Sequence, residues 1–321
     1  MNKKAGIVAV LLCILLMTAG CGTGSKKESG EGAAPSASAQ APSTKIYKDA
    51  NGKEVEIPEN PQRVISSDFL SEVLALGVVP VAAHDTAFEE PLTKELVKGL
   101  PKIGTWPPNL EAISAADPDL IIVADYTDAE TDGVLSKIAP TVAVNYSDNV
   151  FERERTIAKI LGKQEKAEQV ISAYQEKLEQ ARQRLKPFVQ EGATAVTMRF
   201  VKNQLLVFSS KSGEETLYTP YGFTAPLPVQ EISNSDQPFF AMISMETLPK
   251  FAADYMFVVA GRNEEEQQSL KELQESPIWK GLPAVKNNRV YVVPEDWIKT
   301  DLISMNWQLD EAVRMLEKSS R

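Results

Sequence analysis

Cysteine and histidine are almost absent from this chain of 321 residues. Its two cysteines, Cys13 and Cys21, both lie close to the N-terminus, and His84 is its single histidine. Beyond Cys21, a disulfide framework, a cysteine nucleophile and a cysteine-based zinc site are therefore excluded. A histidine-rich metal centre and a Ser-His-Asp triad of the usual form are disfavoured, because each needs histidine in the site.

Positive charge is also scarce, since 34 Lys and Arg stand against 44 Asp and Glu and give a net charge of −10. Nucleic acid binding needs a basic face against the phosphates, so no nucleic acid partner is expected. An anionic small ligand held by one or two local arginines remains compatible with this balance. The length and the hydrophobic fraction of 43% are typical of a globular chain with room for two domains.

The longest apolar run lies in residues 1–20, where it follows a basic start and precedes small residues. This is the pattern of a secretory signal peptide, and the run is too short to span a membrane. The sequence Thr18-Ala19-Gly20-Cys21 resembles a bacterial lipobox, with Thr18 where leucine is usual. We therefore expect cleavage before Cys21 and attachment of a lipid to that residue. Ordinary cleavage and release of the protein is the alternative.

Residues 21–44 are rich in Gly, Ser, Ala and Pro and have hardly any large apolar side chain. Such a segment cannot bury enough apolar surface to form a core. A flexible coil of this length reaches roughly 25–30 Å. We interpret it as a tether between a lipid anchor on Cys21 and a folded body, which suits a receptor or a surface enzyme.

The folded body alternates short apolar strands with helical patterns, which predicts parallel sheets covered by helices on both faces. Asn51-Gly52 predicts a hairpin, and Asn109 is placed to cap a helix over residues 110–115. Further segments follow the same periodicities. Strands are predicted at residues 63–67, 78–83, 120–124, 140–144, 194–200, 204–208, 255–259 and 290–293, and helices at 68–76, 134–138, 214–220, 248–252, 270–275 and 309–318.

Residues 164–186 contain neither Gly nor Pro and carry one apolar stripe at helical spacing. A helix of this length spans about 35 Å and could join two α/β halves as a rigid strut. The predicted architecture is therefore two α/β lobes with mostly parallel central sheets. The N-terminal lobe covers residues 45–163, the interdomain helix 164–187 and the C-terminal lobe 188–321.

Several short motifs follow one another in a recognisable order along this body. They are residues 60–65 (NPQRVI), 74–78 (LALGV), 108–111 (PNLE), 117–122 (DPDLII), 138–142 (IAPTV), 244–248 (SMETL) and 284–291 (AVKNNRVY). In this order they resemble the periplasmic binding proteins of iron–siderophore and cobalamin uptake, over essentially the whole folded body. The lipobox-like start and the Asn51-Gly52 hairpin make the chain most similar to ferric-hydroxamate receptors of Gram-positive bacteria.

The resemblance implies capture of a ferric siderophore in a cleft between the lobes and its delivery to a membrane permease and its ATPase. It implies a monomer without cofactor, anchored on the outer face of the cell membrane, with iron held by the siderophore's own oxygens. Ferric citrate, a catecholate siderophore or cobalamin are alternative ligands. A surface-anchored hydrolase is the alternative class, although the chain has no G-x-S-x-G or H-E-x-x-H motif.

Six residues are candidate ligand contacts, because aromatic walls and strong donors suit a compact, oxygen-rich ferric complex. They are Arg199, Trp106, Trp297, Tyr126, Trp307 and Lys211. Solvent-facing charge is the alternative for Arg199 and Lys211, and packing is the alternative for the tryptophans. Whether His84, Phe239 and Phe240 reach the cleft stays open.

Two acidic residues, Glu72 and Glu246, match the pair that meets permease arginines in the resembling family, with one residue on each lobe. The resemblance therefore implies that these two glutamates dock the protein on its permease. Ordinary exposed helix glutamates are the alternative for each of them taken alone.

Overall fold

The computed structural model describes residues 43–201, 204–235, 238–261 and 263–319. One compact unit spans Pro42–Arg321. The predicted signal peptide, the lipidation site Cys21 and all but the end of the tether lie outside the described residues. No helix among the described residues is long and apolar enough to cross a membrane.

The strands form one hairpin and two sheets. In chain order they are β1 (Thr44–Lys48), β2 (Glu54–Pro58), β3 (Val64–Ser66), β4 (Leu120–Ala124), β5 (Thr141–Val144), β6 (Ala195–Val201), β7 (Gln204–Phe208), β8 (Phe240–Ile243), β9 (Tyr255–Val259) and β10 (Val290–Val293). The hairpin pairs β1 with β2. One sheet has the order β3-β4-β5, and the other has the order β10-β9-β6-β7-β8.

Helices separate most of the strands. They are α1 (Leu70–Ala75), α2 (Leu110–Ala115), α3 (Ala129–Leu135), α4 (Val150–Leu161), α5 (Gln164–Leu185), α6 (Ser210–Gly213), α7 (Thr219–Tyr221), α8 (Leu227–Ile232), α9 (Glu264–Glu275), α10 (Pro277–Gly281), α11 (Pro283–Lys286) and α12 (Leu302–Ser319). The 3-10 helices are Asp85–Phe88, Met245–Phe251 and Glu295–Ile298, and a π-helical turn covers Glu214–Tyr218.

The lobe built on β3, β4 and β5, called the N-terminal lobe below, has a fully parallel sheet as predicted. Every residue of β4 is buried, because hydrophobic clusters cover both faces of the sheet. Asn109 caps α2 by accepting a hydrogen bond from the backbone N–H of Ala112, as predicted. The predicted strand over residues 78–83 is wrong. Pro80 interrupts that segment and supplies no N–H to a ladder, and only Ala83 forms a bridge, to Lys102.

The lobe built on β6 to β10, called the C-terminal lobe below, has a mixed sheet. Strands β10, β9 and β6 are parallel, whereas β6, β7 and β8 are antiparallel. The predicted strands at β7, β9 and β10 have the observed bounds. Edge strand β8 escaped prediction, because an edge strand with one exposed face has only a weak apolar signal.

Helix α5 packs against α4 of the N-terminal lobe and against α12 of the C-terminal lobe, so it contacts both. Helix α12 begins at Leu302, seven residues before its predicted start, and also packs against α1. The lobes therefore meet along α1 and α12 as well as through α5. This second contact brings the segment before α12 against the first helix of the N-terminal lobe.

Candidate functional site

Two adjoining cavities lie between the lobes, with volumes of about 390 Å³ and about 490 Å³. Small-molecule sites usually measure ~300–1,000 Å³, so each cavity falls within that range. Both cavities are lined by Tyr146 and Arg153 from one lobe and by Ile298 and Thr300 from the other. We call the two cavities together the cleft.

The smaller cavity is the more polar of the two. It is further lined by Ser67, Asp68, Phe69, Leu70, Ser71, Glu72, His84, Thr86, Ala87, Glu90, Thr93, Arg199, Glu295, Lys299 and Asp301. The larger cavity is further lined by Ser147, Asp148, Asn149, Thr197, Phe208, Lys211, Ser212, Thr216 and Phe239. The cleft therefore combines a charged compartment with a more apolar one.

The N-terminal wall of the cleft is aromatic. Tyr146 follows β5, is 51% exposed, and makes an edge-on contact with Tyr126 at 5.3 Å between ring centroids. Tyr126 donates a hydrogen bond from its hydroxyl to Asp68 Oδ1 at 3.0 Å. Partial burial and the neighbouring Asp68 carboxylate raise the pKa of Tyr126, so its hydroxyl keeps the proton that it donates. This pair holds an aromatic surface toward the cleft.

The cationic side chains of the cleft are mostly neutralised by carboxylates. Arg199 Nη2 lies 2.6 Å from Glu295 Oε1, and Lys299 Nζ lies 2.6 Å from Glu90 Oε2. Lys211 is exposed, and its ammonium lies 5.0 Å from the centre of the Phe239 ring without an ion pair among the described residues. Lys211 is therefore the cleft cation most available to a ligand.

A fourth cation, Arg153, is buried and forms an ion pair with Glu72 at 2.7 Å. Burial raises the pKa of Glu72 to about 7 against the opposing effect of Arg153. Glu154 is fully buried, and neither of its carboxyl oxygens has a hydrogen-bond partner among the described residues. Burial, with Glu72 and Asp301 nearby, raises the pKa of Glu154 to about 9, so Glu154 is neutral at pH 7.

Arg199 and Lys211 line the cleft, but Trp297 does not. Only 1% of Trp297 is exposed, and its ring stacks on Phe257 at 4.8 Å between centroids. The prediction that Trp297 contacts ligand is therefore wrong, because the ring belongs to the core. Trp307 is half-buried and packs edge-on against Trp297, so it too lies outside the cleft lining.

Trp106 is 52% exposed and is not among the residues that line the cleft. Tyr126 is also absent from the lining, but it contacts two residues that do line the cleft, Tyr146 and Asp68. His84 and Phe239 do reach the cleft, whereas Phe240 lies on the edge strand β8.

The predicted docking pair needs a correction. Glu72 is 3% exposed and bound to Arg153, so it offers no surface carboxylate to another protein. Glu246 is exposed in the first turn of the 3-10 helix Met245–Phe251, just before β9, the middle one of the three parallel strands β10, β9 and β6. In the N-terminal lobe the corresponding residue is Glu111, which is exposed in the first turn of α2, just before the central strand β4.

Most of the cleft lining escaped prediction, including Tyr146 and Arg153. Tyr146 lies beyond the carboxyl end of β5, and the strand-end rule that selected Tyr126 also applies to it. Arg153 carried no such signal, because a charged residue on an amphipathic helix usually faces solvent.

Over residues 43–201, 204–235, 238–261 and 263–319, no group of three His, Cys, Asp or Glu side chains is arranged to hold a metal ion. The functional features of this region are a cleft, its aromatic wall and its paired charges.

Two α/β lobes that enclose a cleft define a binding protein of the two-lobed class. A sequence model of the family described as periplasmic binding protein matches residues 64–297. The chain belongs to this family, which the motif order had indicated.

Similar proteins come from Bacillus subtilis (strain 168). The iron(3+)-hydroxamate-binding protein FhuD is 32% identical over 98% of this chain and 98% of its own length. The iron(3+)-hydroxamate-binding protein YxeB is 29% identical over 99% of this chain and 98% of its own length. A crystal structure of a binding protein of a ferrichrome transporter from that organism is 30% identical, with a TM-score of 0.73 over 85% of this chain and 100% of the other.

Proposed function

We propose that this protein captures a ferric hydroxamate complex in the cleft and delivers it to the permease of an ATP-driven importer. The observation that carries the proposal is a cleft with an aromatic wall whose cations are mostly engaged by carboxylates. The names of its relatives FhuD and YxeB, both iron(3+)-hydroxamate-binding proteins, support the same ligand class.

Net charge separates ferric hydroxamates from other iron complexes. A ferric tris-hydroxamate is neutral, whereas ferric citrate and ferric tris-catecholate complexes are anionic. Binding an anion inside a cleft needs cations that are free to pair with it, because a desolvated charge without a partner is costly. Arg153, Arg199 and Lys299 are already paired, so Lys211 is left as the main attraction for an anion.

Iron in this proposal stays in its chelator, and the protein recognises the outside of the complex. Tyr146 and Phe239 supply apolar surface from the two lobes, and Lys211 and Ser212 supply polar contacts beside them. A carrier of this kind performs no chemistry on its ligand. Recovery of intact chelate after incubation is therefore expected, and turnover of the chelate would favour the hydrolase alternative.

Isothermal titration calorimetry with ferrichrome, ferric citrate, ferric enterobactin and cobalamin tests the ligand class. We expect ferrichrome to bind most tightly and ferric enterobactin at least 100-fold more weakly, a difference of about 2.7 kcal/mol. Tightest binding of cobalamin or of either anionic iron complex would contradict the proposal. The metal-free chelator of ferrichrome is the matched control, because it lacks the compact shape of the iron complex.

Delivery rests on a surface carboxylate on each lobe, and we propose Glu111 and Glu246 for this role. Each lies in the first turn of the short helix before the middle strand of the parallel part of its sheet, β4 or β9, so the two occupy equivalent places. Two matched charges, one on each lobe, would let a permease respond to the relative position of the lobes. Glu72 is excluded from this role by its burial.

Uptake of radioactive iron in cells tests the docking pair. The double variant Glu111→Ala/Glu246→Ala is expected to bind ferrichrome normally and to lose most uptake, because the cleft is untouched and the docking charges are gone. The matched control is Glu130→Ala/Glu275→Ala, which removes one helix glutamate from each lobe elsewhere on the surface. Full uptake by the Glu111→Ala/Glu246→Ala variant would refute the docking role.

Location follows from the N-terminal pattern. We propose that Cys21 carries a lipid that holds the folded body on the outer face of the cell membrane through the tether of residues 21–44. Mass spectrometry of the membrane fraction tests this, since the Cys21→Ser variant is expected in the soluble fraction without the lipid mass. A Cys21→Ser variant that stays on the membrane would exclude the anchor.

A further inference from the structure

Arg153 stands out because one buried side chain binds three separate segments around the cleft. Its Nε donates to Glu72 Oε1 on α1 at 2.7 Å. Its Nη1 donates to the backbone carbonyls of Tyr146 and Asp148 at 3.4 Å and 3.1 Å, in the loop between β5 and α4. Its Nη2 donates to the carbonyl of Thr300, in the segment before α12.

Of these three segments, the loop between β5 and α4 carries the aromatic wall of the cleft. The loop between β5 and α4 holds Tyr146, whose backbone N–H also donates to Asp125 Oδ1 at 3.1 Å. Asn149 then caps α4 by accepting hydrogen bonds from the backbone N–H groups of Phe151 and Glu152. Arg153, on α4, donates hydrogen bonds to two backbone carbonyls of this loop and so attaches the loop to the helix that follows it.

The segment before α12, which contains Thr300, belongs to the opposite lobe. Thr300 lies between Lys299 and Asp301, and Asp301 accepts a hydrogen bond from Ser304 N–H in the first turn of α12. Lys299 forms an ion pair with Glu90 of the N-terminal lobe, with 2.6 Å between Lys299 Nζ and Glu90 Oε2. The Arg153–Thr300 bond therefore lies beside a second interlobe contact, and both lie where the lobes meet at the floor of the cleft.

The cost of burying the Arg153–Glu72 ion pair indicates that this pair serves to orient the segments around it. Removing two charges from water costs several kcal/mol, and replacing a buried ion pair by apolar residues is often neutral or stabilising. The guanidinium is a planar fork that can bind several acceptors in fixed directions, which an apolar side chain cannot do. The Arg153 guanidinium donates to Glu72 and to three backbone carbonyls, and these hydrogen bonds fix the relative positions of α1, the loop after β5 and the segment before α12.

We propose that Arg153, held by Glu72, is a positioning residue that sets the Tyr146 loop and the Thr300 segment at the separation that the ligand requires. Although Arg153 also lines both cavities, its role in the proposal is to act through these segments, because its donors are engaged by Glu72 and by three backbone carbonyls. The proposal rests on the proposed function for its ligand readout. Its structural part, the coupling of the two segments, stands independently of the ligand.

The test compares the full chain with the variants Arg153→Lys and Glu72→Met/Arg153→Met. The lysine keeps the charge but cannot bind all three segments, and the methionine pair keeps the volume and removes the buried charges. Thermal unfolding first shows that each variant folds. The control is Arg63→Met, since Arg63 also donates to backbone carbonyls, those of Ala116 and Asp117, but within a single lobe and away from the cleft.

Two readouts are taken, calorimetric affinity for ferrichrome and hydrogen exchange of the unliganded protein. The positioning role predicts at least tenfold weaker binding in both Arg153 variants, even if the methionine pair raises the unfolding temperature. It also predicts faster amide exchange in residues 145–149 and in residues 300–305 together. The Arg63→Met variant should change neither readout.

Three outcomes would overturn the proposal. Unchanged affinity in both Arg153 variants would show that the ligand does not depend on this geometry. Weaker binding with unchanged exchange in both segments would show that Arg153 acts by direct contact. Faster exchange in only one segment would show that the two segments are not coupled through it. If the wild type binds no ferrichrome, the proposed function fails, and the exchange readout alone decides for or against the coupling.

Discussion

Two loops of this protein expose an aromatic ring to almost the same degree and differ in where they lie. Trp106 is 52% exposed in the loop before α2, and Tyr146 is 51% exposed in the loop after β5. Only Tyr146 lines the cleft, and only its loop is bound by a buried arginine. Exposure alone therefore does not identify an aromatic ring that binds ligand. Its position at the carboxyl end of a strand, facing the other lobe, does so.

Removing each ring in turn tests whether only the Tyr146 ring serves binding. Tyr146→Ala is expected to weaken ferrichrome binding about 30-fold, or ~2 kcal/mol, because the variant loses the aromatic wall of the cleft. Trp106→Ala is the matched control and should stay within twofold of the wild type. Calorimetry measures both, and a larger loss in Trp106→Ala would reverse the assignment of the two loops.

On the C-terminal lobe, Arg199 of β6 lines the cleft. Arg199→Ala should weaken ferrichrome binding at least tenfold, about 1.4 kcal/mol, because it removes a donor and takes the arginine away from the Glu295 carboxylate, which lines the cleft. Glu295→Gln, which keeps the arginine, should lose less. Affinity of Arg199→Ala equal to that of the wild type would remove Arg199 from the binding wall.

A smaller effect is expected from the support of the Tyr146 ring. Tyr126→Phe keeps the edge-on contact and loses the hydrogen bond to Asp68, so binding should weaken about threefold, or ~0.7 kcal/mol. The effect should vanish in a Tyr146→Ala background, where there is no ring left to support. A persistent loss in that background would mean that Tyr126 contacts the ligand itself.

The smallest effect on binding, and a clear one on stability, is expected at Glu154. Its pKa is about 9 in the folded protein and ordinary in the unfolded chain, because burial disfavours the charged form. Between these values the folded state holds a proton that the unfolded state has released. Rising pH therefore lowers the free energy of unfolding through this group.

The variant Glu154→Gln removes that titration. Its unfolding temperature should exceed that of the wild type by more at pH 9 than at pH 7, and by little at pH 4. Glu152→Gln, on the exposed side of the same helix, is the matched control and should show a constant difference. Equal differences for Glu154→Gln at all three pH values would contradict the account of the buried carboxyl.

Sequence patterns predicted the features that depend on local periodicity. The strand β4, the cap of α2 by Asn109 and the long helix α5 all follow from apolar spacing and cap chemistry. The family and the two-lobed fold follow from the order of the motifs. Arg199 was predicted at the cleft because a charge inside an apolar strand is unusual unless it faces water or a ligand, and Lys211 because it precedes a helix N-terminus; both line the cleft.

Burial created by packing between distant segments could not be predicted in the same way. Trp297 is covered by Phe257 and Tyr221, which are far from it along the chain. Glu72 looks like an exposed helix glutamate until α4 brings Arg153 against it. Both errors have the same cause, because a single-helix pattern does not reveal which neighbour covers a face.

A crystal structure of the protein with ferrichrome would show directly whether the cleft is the binding site. We expect the chelate between the lobes in the larger cavity, with Tyr146 and Phe239 against its organic surface, Lys211 nearby and Arg153 still bound to Glu72 and Thr300. A chelate bound at Trp106 outside the cleft, or iron transferred from its chelator to protein side chains, would contradict this expectation.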